Sequence, residues 1–473
     1  MRRLLATAAV AALLAGCHSS GIAFNPPGGS GGNIVTLVIA SYDVGTSLGA
    51  IAYETGPHGT WKLLPSGQTT FTVPNGTQSY GVAYVCANED VTGSIGRTRP
   101  QAEEGLGETE YAVQATLSDY HTVAVTCFDG PTTGVSGSYD VTAVEGSQIN
   151  AAGDFEEGPT GTYSGSVPSN TADILAAAYT DEGGVVGVKT YPNTTVGTSP
   201  VTQNVTFSAS DHVGSTSTLT STAAPGGFEQ LTTAQYYTAD LGVYLNLAEN
   251  EGTTVTFPAV ASADATGLYG LSSAAESEEG EQVLIAFDGT PTAANTNLTL
   301  PAPWTPSSPT SVADPTFTLN YTGFPSPPAG SIFSYAAYFD EECTSDCEAF
   351  VNVTNKFLQS TGGSTYQVPQ IPLTGFPVFN GTGDVEWFLL AELNSGIAVD
   401  FASPPIFEQV LPIAEQRGQT PQSAQHWLPQ SRSAAGSTSQ PGHLVPLSNA
   451  ITNITAQISG YQNCYAVGGS GCT

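Results

Sequence analysis

The chain has 473 residues, more than one core normally takes, so several domains are expected. Its 53 Gly and 32 Pro against a single Met, with abundant Ser, Thr and Val, are an all-β composition rich in turns. A formal charge of −32, from 9 Lys+Arg against 41 Asp+Glu, excludes nucleic-acid binding and electrostatic attachment to an anionic membrane surface, both of which need basic side chains. Only 11% of the residues are charged, so the acidity reflects few bases, and a neutral polar surface of Thr, Ser, Asn and Gln is expected. A sequence pI near 4.1 raises the hypothesis of life in an acidic exterior.

In chain order, Arg2-Arg3 precedes a largely apolar run of 12 residues, Leu4 to Ala15, and then Gly16-Cys17. That run is too short for a bilayer core, which takes about 20 residues. It reads as the removable core of a secretory leader. Leu14-Ala15-Gly16-Cys17 resembles the lipobox of bacterial lipoproteins. The resemblance covers residues 1–16 as signal peptide and implies cleavage before Cys17, lipidation of Cys17 and residence in the cell envelope. His18 at the next position is similar to the outer-membrane default where the cell has one. Residues 17–33, with Pro26-Pro27 and Gly28-Gly29-Ser30-Gly31-Gly32, read as a flexible tether with a reach of about 20–25 Å.

From residue 34 to about 402 short strand patterns recur. Asn33 to Ala40 reads as a buried strand, followed by Gly49 to Tyr53 and Thr69 to Val73. A repeat runs through them. Thr72-Val73-Pro74 resembles Ser166-Val167-Pro168, Thr256-Phe257-Pro258 and Gln367-Val368-Pro369. The first two are each followed by an apolar run, Tyr80 to Val85 and Ile174 to Tyr179. These prolines lie about 90–110 residues apart, the length of one immunoglobulin-like sandwich, and each reads as the stop of a strand before the chain crosses the sandwich edge.

The expected fold class is therefore all-β, with tandem immunoglobulin-like or transthyretin-like sandwiches at 34–130, 131–212, 213–300 and 301–403. The transthyretin-like resemblance rests on Gly161-Thr162-Tyr163 followed by Val167-Pro168. In residues 404–473 strand patterns stop and Gln, Ser and Pro accumulate. There Leu447, Ile451, Ile454 and Ile458 at 4-3-4 spacing, with Gly460 beyond, predict one amphipathic helix in an irregular appendage.

Besides Cys17 there are six cysteines: Cys86, Cys127, Cys343, Cys347, Cys464 and Cys472. Outside the inner membrane they are expected to oxidise. Six cysteines allow 15 connectivities. Proximity suggests Cys86–Cys127, Cys343–Cys347 and Cys464–Cys472.

Signatures of chemistry are sparse. Gly45-Thr46-Ser47-Leu48-Gly49 matches a nucleophile-elbow string without the strand–turn–helix context. The six histidines show no zinc-protease spacing. The acidic cluster Asp340, Glu341, Glu342 and Asp346 is a weak Ca²⁺ candidate, since loop carboxylates bind that ion but the spacing matches no known loop. No cofactor is otherwise expected. Trp61 and Trp304 are candidate sugar-stacking platforms, whereas Trp387, within Val385 to Leu390, reads as core. The expectation is a non-enzymatic surface scaffold, adhesion or binding module, held to the membrane through its lipid alone, with an envelope protein or glycan as partner. The alternative is a carbohydrate-binding lipoprotein or glycoside-active enzyme using loop carboxylates.

Overall fold

The structure, a computed structural model, describes residues 33–39, 46–88, 109–125, 132–168, 174–191, 199–237, 244–262, 264–277, 282–309, 315–325, 331–341, 348–374, 376, 378–379, 381, 385–395, 401–402 and 454–465. The leader, Cys17 and the tether lie outside them. Strands dominate, and the protein is all-β with several sheets packed in sandwich fashion. No helix among the described residues is long and apolar enough to cross a membrane.

One path is traced four times. Unit 1 runs β1 (Ile34–Ile39), β2 (Thr46–Thr55), β3 (Lys62–Leu63), β4 (Thr70–Thr72), β5 (Ser79–Asn88), β6 (Thr109–Thr116) and β7 (Thr122–Val125). Unit 2 runs β8 (Thr132–Asp140), β9 (Gln148–Ala151), β10 (Asp154–Glu157), β11 (Thr160–Pro168), β12 (Ile174–Tyr179), β13 (Val185–Tyr191), β14 (Val201–Thr202) and β15 (Val205–Thr206). Unit 3 runs β16 (Thr216–Ser221), β17 (Phe228–Tyr237), β18 (Tyr244–Glu251), β19 (Thr254–Pro258), β20 (Leu268–Ser277), β21 (Gln282–Thr290) and β22 (Thr296–Leu298). Unit 4 holds β23 (Thr316–Thr318), β24 (Ile332–Glu341), β25 (Glu348–Thr354), the helix α1 (Asn355–Thr361), β26 (Thr365–Gln367), β27 (Val385–Ser395), β28 (Phe401–Ala402) and β29 (Ile454–Tyr465).

In units 1 to 3 the third, second, fifth and sixth strands lie side by side, β3-β2-β5-β6, β10-β9-β12-β13 and β18-β17-β20-β21. In unit 4 the seventh strand takes the place of the sixth, β25-β24-β27-β29, and the sixth, β28, pairs in parallel with β7 of unit 1. The first and fourth strands pair antiparallel in a second layer, joined in units 1 to 3 by a parallel closing strand. The four repeated prolines mark one place on this path. Pro168 and Pro258 end β11 and β19, while Pro74 and Pro369 lie two residues beyond β4 and β26. Proline lacks the N–H that would extend the ladder. From each, the chain leaves the second layer for the long apolar strand of the first.

Three of the four-stranded sheets fuse into one sheet of order β18-β17-β20-β21-β29-β27-β24-β25-β6-β5-β2-β3. Unit 3 joins unit 4 through the antiparallel pair β21–β29, and unit 4 joins unit 1 through the parallel pair β25–β6. The expected amphipathic helix is corrected here: Ile454–Tyr465 is a strand at the centre of this sheet, not part of an appendage. Gly460 is not a helix stop. A Cβ there would come within 2.6 Å of Leu390 Cδ2 and 2.7 Å of Val283 Cγ1, so the strand approaches its neighbours at a distance only glycine permits.

The second layers do not all cover the same face. In unit 1, Val35, Leu37, Val123 and Val125 pack on Tyr80, Val82 and Tyr84. In unit 4, Phe317, Leu319 and Tyr366 pack on the opposite face, against Tyr335, Phe339, Trp387 and Leu389. Trp387 and Trp304 are both buried in that core. Unit 2 keeps its own two sheets around Val141, Ile149, Tyr163 and Phe207. It meets unit 3 where Tyr236 Oη donates to Asp264 O at 2.9 Å and Thr190 Oγ1 to the same oxygen at 3.2 Å.

Candidate functional site

The switch of faces between units 1 and 4 creates a step. Beside the β25–β6 seam, the second layer of unit 4 ends at α1 and β26, and the unit 1 sheet continues without its own layer on that face. The turn after β2 rises on the far side. Between these walls lies a cleft of about 330 Å³, lined by Glu54, His58, Trp61, Gln114, Tyr366 and Gln370 among others. Pockets at domain junctions are a common location for ligands.

The floor follows from strand register. Glu54 of β2 pairs with Gly81 of β5, and Gly81 pairs with Gln114 of β6. Residues two apart on a strand share a face, so Glu54 lies on the side of Ala52 and Gln114 on the side of Ala112, both facing the unit 4 core. Gly81, with no side chain, leaves a lane between the two polar residues that Glu54 and the tip of the Trp61 ring fill. A Cβ there would fall 2.8 Å from Glu54 Cγ and 2.8 Å from the tip of the Trp61 ring. Across this lane Gln114 Nε2 donates to Glu54 Oε1, and the Tyr366 hydroxyl donates to Gln114 Oε1 at 2.7 Å. The three side chains are almost fully buried. They form a chain of fixed polarity, which a low-dielectric setting strengthens.

Burial pushes the Glu54 carboxyl up to about 7, against the hydrogen bonds from Gln114 and the Gly59 N–H that favour the ion. Burial and the nearby Glu54 charge hold the Tyr366 phenol well above its ordinary range. The rim is different in kind. His58 is exposed at φ 61° in the turn, and Trp61 is half-buried. Trp61 thus offers an apolar surface beside a polar floor.

The seam is pinned next to the cleft. Thr354 Oγ1 caps α1 by accepting from the Phe357 N–H at 3.2 Å. Lys356 of that helix pairs with Asp119 at 2.6 Å and donates to Ser118 O at 3.1 Å. Ser360 Oγ lies 2.8 Å from Ser79 Oγ. Asp119 is buried while Lys356 is half exposed, so this ion pair ties unit 4 to unit 1 at the cost of desolvating one partner.

Two other buried carboxyls were candidates. Glu392 of β27 is fully buried, with Ser334 Oγ donating to its Oε2 at 3.4 Å, and burial pushes it up to about 7. It does not line the seam cleft. Asp264, also raised by burial, accepts the Thr190 N–H at 3.3 Å and serves the joint between units 2 and 3.

The residues singled out in the sequence fare unevenly. Of the candidate stacking, nucleophile and metal residues Trp61 alone lines the cleft, beside Gln367, Val368 and Pro369 of the fourth repeat motif. Ser47 lies in the extended strand β2, paired with Ala87 rather than set on an elbow. Asp340 and Glu341 end β24, and Glu342, Asp346, Cys343 and Cys347 fall outside the described residues. Among the described residues no group of three or more His, Cys, Asp or Glu is placed to hold a metal ion. Cys86 and Cys464 lie in β5 and β29 with their side chains outside the description, as are Cys127 and Cys472. Sequence reasoning missed Glu54, Gln114 and Tyr366. The available signal was Glu54 itself, a carboxylate two residues after Ala52 and so on the same face of its strand. Compared with known proteins, the chain matches no family model and no curated sequence.

Proposed function

We propose that the protein is a lipid-anchored, non-enzymatic binding module of the bacterial cell envelope. Cys17 carries the lipid, residues 18–33 span the gap to the fold, and the sandwich units present a recognition site to an envelope protein or glycan. The observation that supports the reading best is the cleft at the seam of units 1 and 4. Its floor is pre-organised by Gln114 and Tyr366, its walls are braced by the Lys356–Asp119 pair, and its rim is exposed. Pre-organised polar groups beside an apolar surface suit recognition, since little ordering remains to be done on binding. The six further cysteines are assigned to disulfides as expected from proximity, and the units are read as immunoglobulin-like or transthyretin-like sandwiches.

A second reading, glycoside chemistry, is favoured by one observation: a buried carboxyl held near 7 is a usable general acid at neutral pH. Release of reducing sugar from any polysaccharide by the purified chain would establish it in place of the first.

The anchor is tested by Cys17→Ser in the producing cell. The expected result is loss of the chain from the membrane fraction into the soluble one. Undiminished membrane association of the variant would contradict the anchor.

A further inference from the structure

We propose that the seam cleft is a subsite for one or two rings of a neutral glycan, with a pyranose C–H face on Trp61 and ring hydroxyls on Glu54, Gln114 and Tyr366. This rests on the binding-module reading and names the ligand class for the same site.

Size comes first. A cavity of about 330 Å³ stands near the lower end of the ~300–1,000 Å³ typical of small-molecule pockets, enough for a short sugar and too small for a folded segment. Chemistry comes second. A sugar ring has an apolar C–H face and an equatorial belt of hydroxyls, each both donor and acceptor. The cleft supplies the complementary pair: a half-buried indole at one wall and a row of buried oxygens at the floor. Gln114 Oε1, the Glu54 carboxyl and the Tyr366 oxygen each keep acceptor capacity after the bonds already made. Their positions are fixed by the Glu54–Gly81–Gln114 register and by Tyr366 reaching down from β26. Rim groups Thr365, Gln367 and Gln370 extend the neutral hydrogen-bonding surface.

Charge comes third. An anionic ligand meets a floor carboxyl on a chain of net charge −32. A cationic ligand requires Glu54 to ionise against its burial. A neutral polyhydroxyl ring meets neither obstacle. The titratable side chains lining the cleft are Glu54, His58 and Tyr366.

The test uses the full chain extracted in a sugar-free detergent. Maltose, cellobiose and N,N′-diacetylchitobiose are titrated by calorimetry and by tryptophan emission, with glucosamine and galacturonate as charged comparators. Saturable binding of at least one neutral disaccharide is expected. Trp61→Ala is expected to weaken it about tenfold, the scale of losing one aromatic contact. Thr365→Trp guards against a folding artefact. Thr365 is exposed on the rim, so the larger side chain fills the cleft without entering the core. It should abolish binding with an unchanged melting temperature.

No saturable binding of any of the three, binding of the charged comparators alone, or binding unaltered in both variants would overturn the proposal. Such a failure with Cys17-dependent membrane association intact removes the ligand class and leaves the anchored module standing. Sugar binding together with membrane association that does not depend on Cys17 removes the anchor and leaves the site.

Discussion

Glu54 shows how one residue's environment sets its chemistry. Its carboxyl is raised because burial disfavours the ion more than Gln114 and the Gly59 N–H favour it. An acid whose folded pKa lies above its unfolded value binds more protons when folded. Its contribution to stability is therefore complete below about 4.5 and is lost as pH rises through about 7. Glu392 behaves in the same way and over the same range. Each shift corresponds to a stability change on the order of 3 kcal/mol. The protein is expected to melt at a higher temperature at pH 5 than at pH 8, in keeping with an acidic exterior. Glu54→Gln, which stays neutral throughout and can still accept from Gln114, should narrow that difference by raising the pH 8 value. Thermal unfolding of both proteins at the two pH values checks it, and an undiminished gap in the variant would contradict the assignment.

At the scale of elements, strands were legible where a short apolar run dense in aromatic and aliphatic residues stood alone. Val385 to Leu390 predicted a core strand and forms one, with Trp387 inside. The failure at Ile454–Tyr465 has a physical cause. Positions four apart share a face in a helix and also in a strand, because four is a multiple of the strand period. Ile454 and Ile458 therefore fit both patterns, and the helical reading rested on Leu447 and Ile451, which lie outside the described residues. Gly460 tipped the choice further toward a helix end. What it allows instead is contact between β29 and its two neighbours, a long-range fact that no local pattern carries. Gly460→Val should push against Leu390 and Val283 and destabilise the protein by about 1–3 kcal/mol, the usual cost of overpacking. Urea unfolding measures this directly, and an unchanged midpoint would show that β29 does not sit between β21 and β27.

At the scale of the whole molecule, the sequence pointed to sandwiches of about 100 residues but not to their fusion. Composition, turn density and the repeated prolines are local, whereas the joins β21–β29 and β25–β6 link residues far apart in the chain. The cleft is a product of those joins, and so of facts that emerge only on assembly: Glu54 and Gln114 belong to unit 1, and Tyr366 to unit 4. The proposed function places ligand recognition at this seam. The most direct measurement places a photo-crosslinking amino acid at position 58, on the exposed rim, in the full chain in intact cells. A control carries it at position 155, where Phe155 is 51% exposed on unit 2. The expected result is a membrane-fraction adduct containing neutral sugar from position 58 and none from position 155. No adduct from position 58, or equal adducts from both, would contradict it.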